Sequence, residues 1–338
     1  MNANELIKQL LLSFNNNDKE AFLASAREYI EREKRMKHTQ VAKELEKALF
    51  DKNGNVVSYS ERRFKNEIPI PRDSEKGFPL LDIKRFEESY ENLVINSELK
   101  KQLDQIIREF KDSDVLATYN LSYKKKILLC GKPGTGKTYT AQIVSSLLNI
   151  PLVYIRFDSI ISSYLGETAS NLRKVFDYIE QGTWIVLFDE FDIIGKNRDD
   201  IHEHGEIERV VNNFLQMMDN FSGTSLLFAA TNHQYLLDPA IWRRFDDILF
   251  YDIPDENTRK NLFERFLKPL KREQNIDLES VIKKSDGLSP ADIKMVAVEA
   301  MKLSIIESRN SLTENDLQYA LNKFLGREKL RKASKGDN

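Results

Sequence analysis

Apolar residues recur over the first fifty positions with the spacing of amphipathic helices. Leu6, Ile7, Leu10, Leu11 and Phe14 share one face, Phe22, Ala26, Tyr29 and Ile30 a second, and Val41, Leu45, Ala48 and Leu49 a third. Asn17-Asp18 punctuates the first break and residues 37–39 the second, which predicts a small helical module over residues 1–50. Such a module binds a partner, joins copies of the chain or simply packs on the remainder of the chain; the pattern does not choose. From 51 to 85 the periodicity dissolves. Asn53-Gly54 is a turn signal, and Pro69, Pro71, Gly77 and Pro79 interrupt regular structure, so the stretch reads as a linker with an extended piece at 68–71.

Regular structure is expected again from residue 86, with Leu99, Leu103, Ile106, Ile107 and Phe110 on one helical stripe. Short, near-continuous apolar runs come next at 127–130, 152–157, 184–188, 226–230 and 248–253, with helical patterns between them. Strands of a parallel sheet covered on both faces carry runs of this kind, so residues 86–254 predict a doubly wound α/β domain. After Pro254 the strands stop, and residues 255–326 carry helical stripes only, an all-helical subdomain. The charged residues 327–338 read as a flexible tail.

Composition narrows the class. Of 338 residues, 41% are hydrophobic and 31% charged, a mix that suits a helix-rich, heavily solvated protein. With a net charge of -2, no global field attracts nucleic acid or anionic lipid. The run Lys124-Lys125-Lys126 reads as a solvated entry to a strand. The single cysteine, Cys130, excludes an intrachain disulfide and reads as a small buried residue. No apolar run is long enough to cross a bilayer and the N-terminus lacks a signal-peptide pattern, which implies no membrane and a cytoplasmic location.

The chemistry centres on Gly131-Lys132-Pro133-Gly134-Thr135-Gly136-Lys137-Thr138, which fits G-x-x-x-x-G-K-[ST] between a strand and a helix. The glycines let successive N–H groups turn inward on a phosphate chain, and the next helix adds its positive N-terminal end. Gly131, Pro133, Gly134, Thr135, Gly136, Lys137, Thr138 and Tyr139 are the expected nucleotide contacts. Lys137 would neutralise the terminal phosphates and the Thr138 hydroxyl would be a ligand for Mg²⁺, making ATP and Mg²⁺ the expected cofactors. The run 184–188 ends in Asp189-Glu190, two carboxylates at the carboxyl edge of the sheet. Asp189 would orient the metal and Glu190 would polarise the attacking water. Thr231-Asn232, after another apolar run, places Asn232 to bond the γ-phosphate or hold that water.

These segments, with Leu237-Asp238-Pro239-Ala240-Ile241-Trp242-Arg243-Arg244-Phe245-Asp246, closely resemble the AAA+ ATPases over about residues 90–325, in family order. The resemblance is to the AAA clade proper, which includes katanin, spastin and the ESCRT-disassembling ATPase, and it implies a P-loop NTPase fold with a helical lid. It further implies a ring homo-oligomer, a hexamer, that threads a polypeptide substrate. Arg243 and Arg244 match the family's arginines that reach a neighbouring subunit's γ-phosphate. Asp247 stands where the family often has a further basic residue, which leaves the division of labour between the two arginines open. Ser162-Ser163-Tyr164-Leu165-Gly166-Glu167-Thr168 resembles the first pore loop, with Tyr164, Leu165 and Gly166 at the substrate channel; burial of Tyr164 and Leu165 beneath the next helix is the less favoured alternative. Residues 199–208 would hold the second pore loop, and Arg209 matches an arginine used between subunits. Asp286-Gly287-Leu288-Ser289-Pro290-Ala291-Asp292-Ile293 resembles the second sensor region, with Pro290 replacing a glycine and Ala291 expected near the ribose and adenine. Asn92, Leu93 and Val94 are further expected adenine contacts.

The segment His202-Glu203-His204-Gly205-Glu206 is not H-E-x-x-H and has no third ligand, so no fused zinc protease is expected. The chain also looks like stand-alone bacterial ATPases that accompany subtilisin-like proteases, which implies a separate protease as partner. Two other classes remain on the sequence: a nucleic-acid motor or loader, disfavoured by the acidic balance and the aromatic pore loop, and a nucleotide-switched binding module without turnover, disfavoured by the intact Asp189-Glu190 pair.

Overall fold

Two of the three N-terminal stripes lie on helices that pack against each other, α1 (Ala3–Asn15) and α2 (Lys19–Arg35). The computed structural model describes residues 3–15, 19–36, 38, 41–42, 45, 69–74, 77–160, 165–192, 204–272 and 276–334. It divides into two units, Met1–Pro69 and Ile70–Asn338. In the first, Leu6, Ala26 and Ile30 are buried as their spacing requires, whereas Ile7 is 41% exposed. Of the third stripe, Val41 is exposed and Leu45 half-buried, while Ala48 and Leu49 lie outside the described residues; the buried residue there is Ala42, next to the stripe.

The second unit opens with β1 (Leu81–Lys84), inside the stretch expected to be a linker. The correction has a physical cause. Leu80 and Leu81 are fully buried, and β1 pairs antiparallel with a later strand, a partnership that four residues following Pro79 do not advertise. The unit also begins earlier than residue 86, since Lys174 Nζ donates to the Arg72 carbonyl and to Ser74 Oγ and so fastens this segment.

The chain then runs through α3 (Ser97–Lys111), α4 (Ser113–Thr118), β2 (Lys126–Gly131), α5 (Lys137–Leu148), β3 (Leu152–Ile155), α6 (Phe157–Ile160), α7 (Leu165–Glu180) and β4 (Ile185–Phe188). It continues with α8 (His204–Asn220), β5 (Leu226–Thr231), α9 (Pro239–Trp242) and β6 (Asp247–Tyr251). The sheet order is β1-β3-β4-β5-β2-β6, and every pairing except β1 with β3 is parallel. Every residue of β4 and β5 is buried, which is why their sequences show no alternation. One core cluster joins α3 and α5 to the sheet through Leu103, Ile106, Ile143 and Val144. Elsewhere Phe157, Phe176, Phe188, Phe191 and Phe214 make ring contacts with one another, with centroids 5.1–6.5 Å apart.

After the sheet come α10 (Glu256–Phe266), β7 (Lys271–Arg272), α11 (Leu278–Lys284), α12 (Pro290–Ile306), β8 (Ser311–Leu312) and α13 (Glu314–Ser334). They close over their own core, including Phe263, Ile282, Ile293, Ala297, Leu317 and Leu321. The start of α12 at Ser289-Pro290 is a full capping box, with Ser289 and Asp292 exchanging side-chain and backbone bonds. A two-residue parallel pairing of β7 with β8 is added to the helices. Arg309 pins that corner by binding Asp316, whose carboxyl it holds down at about 2, and Asp316 in turn accepts the Thr313 N–H. The flexible tail expected from residue 327 is a second correction: α13 stays helical to Ser334, supported by helix-forming residues and by an i,i+3 pair between Arg331 and Glu328.

Candidate nucleotide-binding site

Parallel pairing of β2 with β5 and of β5 with β4 brings the ends of three strands to one edge, so residues far apart in sequence become neighbours. The loop after β2 rises from a crowded position. Gly131 has φ +151°, and a Cβ there would lie 2.2 Å from the Tyr251 carbonyl oxygen of β6. At Gly134, φ is +77° and a Cβ would come within 2.8 Å of Ser289 Oγ and 2.9 Å of Ala291 Cβ. The Ala291 N–H donates to the Gly134 carbonyl at 3.1 Å, so α12 begins directly on the loop. Ala291, expected near ribose and adenine, thus spends its backbone donor on the phosphate loop.

Lys137 starts α5 and is 6% exposed. Its ammonium donates to the Gly131 and Lys132 carbonyls at 2.7 and 2.8 Å, folding back across the loop. Burial lowers its pKa to about 8, partly offset by the Asp189 charge. An anionic phosphate chain would restore the charged form and give that ammonium a stronger partner. The Thr135 hydroxyl donates to the Lys132 carbonyl and closes the turn that contains Pro133. Cys130, fully buried with its thiol pushed up to about 12, is inert packing, as its position suggested.

Asp189 gathers three donors. Its Oδ2 accepts from Thr138 Oγ1 at 2.7 Å and from the Tyr154 hydroxyl at 3.3 Å, and its Oδ1 accepts from the Glu190 N–H at 3.0 Å. A hydroxyl and a carboxylate oxygen that close are hard donors of the kind Mg²⁺ takes, with waters completing its shell, so the residues fit the expected ion. Glu190 is exposed and has φ +52°, a left-handed backbone that costs a residue with a Cβ about 1–2 kcal/mol. Phe191, fully buried, donates its N–H to the Ala230 carbonyl and holds the chain beyond Glu190 against β5. Thr231 is anchored through Asp192 and the His233 N–H. Asn232 beside it is half-buried, with no side-chain bond among the described residues.

The other expected contacts are distributed less simply. Tyr139 and Asn92 both donate to Glu88 Oε2, at 3.0 and 2.8 Å. Leu93 is buried in the sheet-side core and half-buried Val94 packs on the lid core, so adenine contact at these two positions would fall to their backbone. The Arg243 side chain is exposed and makes no bond among the described residues, while its N–H donates to the Ile241 carbonyl. Arg244 is held, its Nε donating to Asp219 Oδ2 at 3.2 Å and its Nη1 to the Ala240 carbonyl at 3.2 Å. Neither arginine bonds a residue of its own chain's phosphate loop among the described contacts. Tyr164 lies outside the described residues, as do His202 and Glu203. The α7 helix already starts at Leu165, so Gly166 is inside a helix and not at a bend; the Leu165 and Arg209 side chains are not described. No group of three metal-ligating side chains occurs among the described residues. Nor, among them, is any helix long and apolar enough to cross a membrane.

Sequence reasoning missed Tyr154 and Asp219. Tyr154 carried no signal beyond its place in an apolar strand, and Asp219 stands 25 positions before Arg244 with no motif around it.

Comparison with known proteins agrees with this arrangement. Residues 127–253 match the family described as ATPase family associated with various cellular activities (AAA), and residues 275–319 match the AAA+ lid domain. An uncharacterized AAA family ATPase, y4kL, of Sinorhizobium fredii is 34% identical over 323 residues, covering 95% of both chains. A proteasome-activating nucleotidase of Saccharolobus solfataricus is 35% identical over 66% of this chain and 59% of its own length. The ATP-dependent zinc metalloprotease FtsH of Parabacteroides distasonis is 31% identical over 68% of this chain and 35% of its own length. With phosphate loop, paired carboxylates and lid assembled in one unit, the chain belongs to the AAA family of ATPases and is an ATP hydrolase.

Proposed function

We propose that the chain works in a homo-oligomeric ring, a hexamer, in which ATP hydrolysis drives the unfolding or threading of a polypeptide substrate. The observation that carries this reading is a site incomplete within one chain: the phosphate loop and its carboxylates are assembled, while the exposed Arg243 side chain has no partner among the described residues of its own chain. A neighbour's nucleotide would supply one. In this reading Lys137 and the loop N–H groups hold the phosphates, and Thr138 and Asp189 hold Mg²⁺, which when bound neutralises charge on the phosphates. Glu190 takes the proton of the attacking water, and Asn232 holds that water or the γ-phosphate. Tyr164, with Leu165 and Gly166, would contact the threaded chain. Relatives named for proteasome activation and for ATP-dependent proteolysis support a protein substrate; the separate, subtilisin-like protease partner is proposed from the sequence resemblance alone.

The test is complementation. Lys137→Ala chains and Arg243→Ala/Arg244→Ala chains should each be inactive alone. Mixed in equal amounts they should regain activity at about a quarter of head-to-tail interfaces, where an intact loop meets an intact arginine pair. No recovery at any concentration or ratio would remove the support for shared sites.

The two arginines would divide the work. Arg243 crosses to the neighbour, and Arg244, braced by Asp219, positions the segment that carries it. Arg243→Ala should lower kcat by about 10³-fold. Asp219→Ala should lower it by about tenfold or less with KM unchanged, and Asp219→Glu should recover most of that loss. Equal losses in Arg243→Ala and Asp219→Ala would show that the division is wrong.

A further inference from the structure

Ahead of the sheet, Lys124 Nζ is paired with Asp247 Oδ2 at 2.8 Å, and the Lys125 ammonium is spent on the Gly223 carbonyl at 2.9 Å. The lid differs. A groove of about 330 Å³ lies between α12 and α13, with Met295, Val298 and Phe324 among its apolar lining and Lys294, Lys302 and Arg327 as cations around them. The single carboxylate lining it, Glu299, is already taken by Lys323 at 2.5 Å. Lys323 first, then Lys302 and Arg327, hold the Glu299 carboxyl below its usual range. Lys294, Lys302 and Arg327 make no ion pair among the described residues. In a chain with a net charge of -2, this is a local concentration of unbalanced positive charge.

The apolar part of the face is also unfilled. Met295 is 50% exposed, and Ile305, on the same side of α12, is 61% exposed. On α13, Leu330 follows Lys323 by two helical turns on the same side and is 74% exposed. A thioether beside aliphatic side chains adapts to varied apolar partners. Phosphate groups alone would leave that floor in water, whereas a polypeptide with acidic and apolar side chains would satisfy both features. We propose that this groove docks an acidic, helical segment of a partner polypeptide, its apolar side chains against Met295 and Val298 and its carboxylates on Lys294, Lys302 and Arg327. The occupied turn of α12 comes directly after Ala291, whose N–H meets the phosphate loop at Gly134, so the docked segment sits one helical turn from the nucleotide site. The proposal does not depend on the ring reading.

The probe is a labelled helical peptide of Glu, Ala and Leu, with leucines at i, i+4 spacing, titrated with the full chain without nucleotide and read by fluorescence anisotropy. Binding should weaken by about tenfold in Lys302→Glu/Arg327→Glu and in Met295→Glu, and on raising salt from about 0.05 to 0.5 M. The milder Lys302→Gln/Arg327→Gln should show a smaller loss in the same direction, and all the substituted side chains are on the surface, so melting temperatures should match the parent. Peptides with Lys for Glu or Ser for Leu should bind at least as weakly as the variants bind the parent peptide. Absent binding, or binding indifferent to these substitutions, would overturn the proposal. Tighter binding of a single-stranded oligonucleotide of equal charge would assign the groove to nucleic acid instead. Loss of the chain's own concentration-dependent assembly in the variants would assign it to a second copy, and either result would also overturn it.

Discussion

Replacing Glu190 by glutamine is expected to lower the rate of ATP hydrolysis by about 10³-fold while leaving ATP binding within a few-fold of the parent. The substitution is clean for structural reasons. Glu190 is exposed, its backbone sits at φ +52°, and among the described residues its side chain makes no bond, while its N–H donates to Asp189 Oδ1. Glutamine preserves volume and backbone and leaves the Thr138–Asp189 contact untouched. What it removes is a carboxylate that can accept a proton from water. Phosphate-release rates together with equilibrium binding of a fluorescent ATP analogue separate the two effects. A variant that hydrolyses ATP as fast as the parent would show that another group polarises the water, and a variant that no longer binds would show that Glu190 serves the ground state.

The second large effect concerns folding. Gly131→Ala is expected to destabilise the nucleotide-binding unit by at least about 3 kcal/mol, a fall of about 10 °C in Tm for a domain of this size. A Cβ at this position would stand 2.2 Å from the Tyr251 carbonyl oxygen, 2.8 Å from Tyr251 Cβ and 3.0 Å from its carbonyl carbon, and backbone cannot step aside as a long side chain can. Gly131 is paired with Tyr251 in the sheet, so relief means parting β2 from β6. Tyr251 is buried and its hydroxyl donates to Thr140 Oγ1 in α5, so a displaced β6 also pulls on the helix after the phosphate loop. Thermal unfolding monitored by circular dichroism measures the loss. A Tm within about 2 °C of the parent would mean that β6 yields more easily than its packing indicates.

These two expectations draw on different kinds of information. Glu190 was legible from sequence because its chemistry is local: an apolar run ending in Asp-Glu, downstream of a phosphate loop, specifies a strand and two carboxylates at its end. The parallel strands were legible for a similar reason, since burial on both faces writes itself as an unbroken apolar run. The clash that makes Gly131 irreplaceable was not, because its other half is Tyr251, 120 positions away, and nothing in either segment's pattern names the other.

The same division holds for what was read wrongly. β1 looked like linker because four residues after Pro79 carry too little pattern to mark a strand, and only the paired edge of β3 stabilises them there. That Leu93 packs on the sheet-side core and Val94 on the lid core was equally hidden, because sequence shows that residues are apolar but not which core receives them. Arg243 and Arg244 were equivalent as neighbouring letters. The fold distinguishes them by bringing Asp219 of α8 to one and leaving the other exposed. Sequence by itself determined the nucleotide loop, its carboxylates, the alternation of strand and helix, and the resemblance that those motifs carry. All of these are written in contiguous residues whose backbone preferences and burial are short-range. Tertiary structure alone decided which side chains are held and which remain available, because those contacts join segments whose separation along the chain leaves no trace in either one.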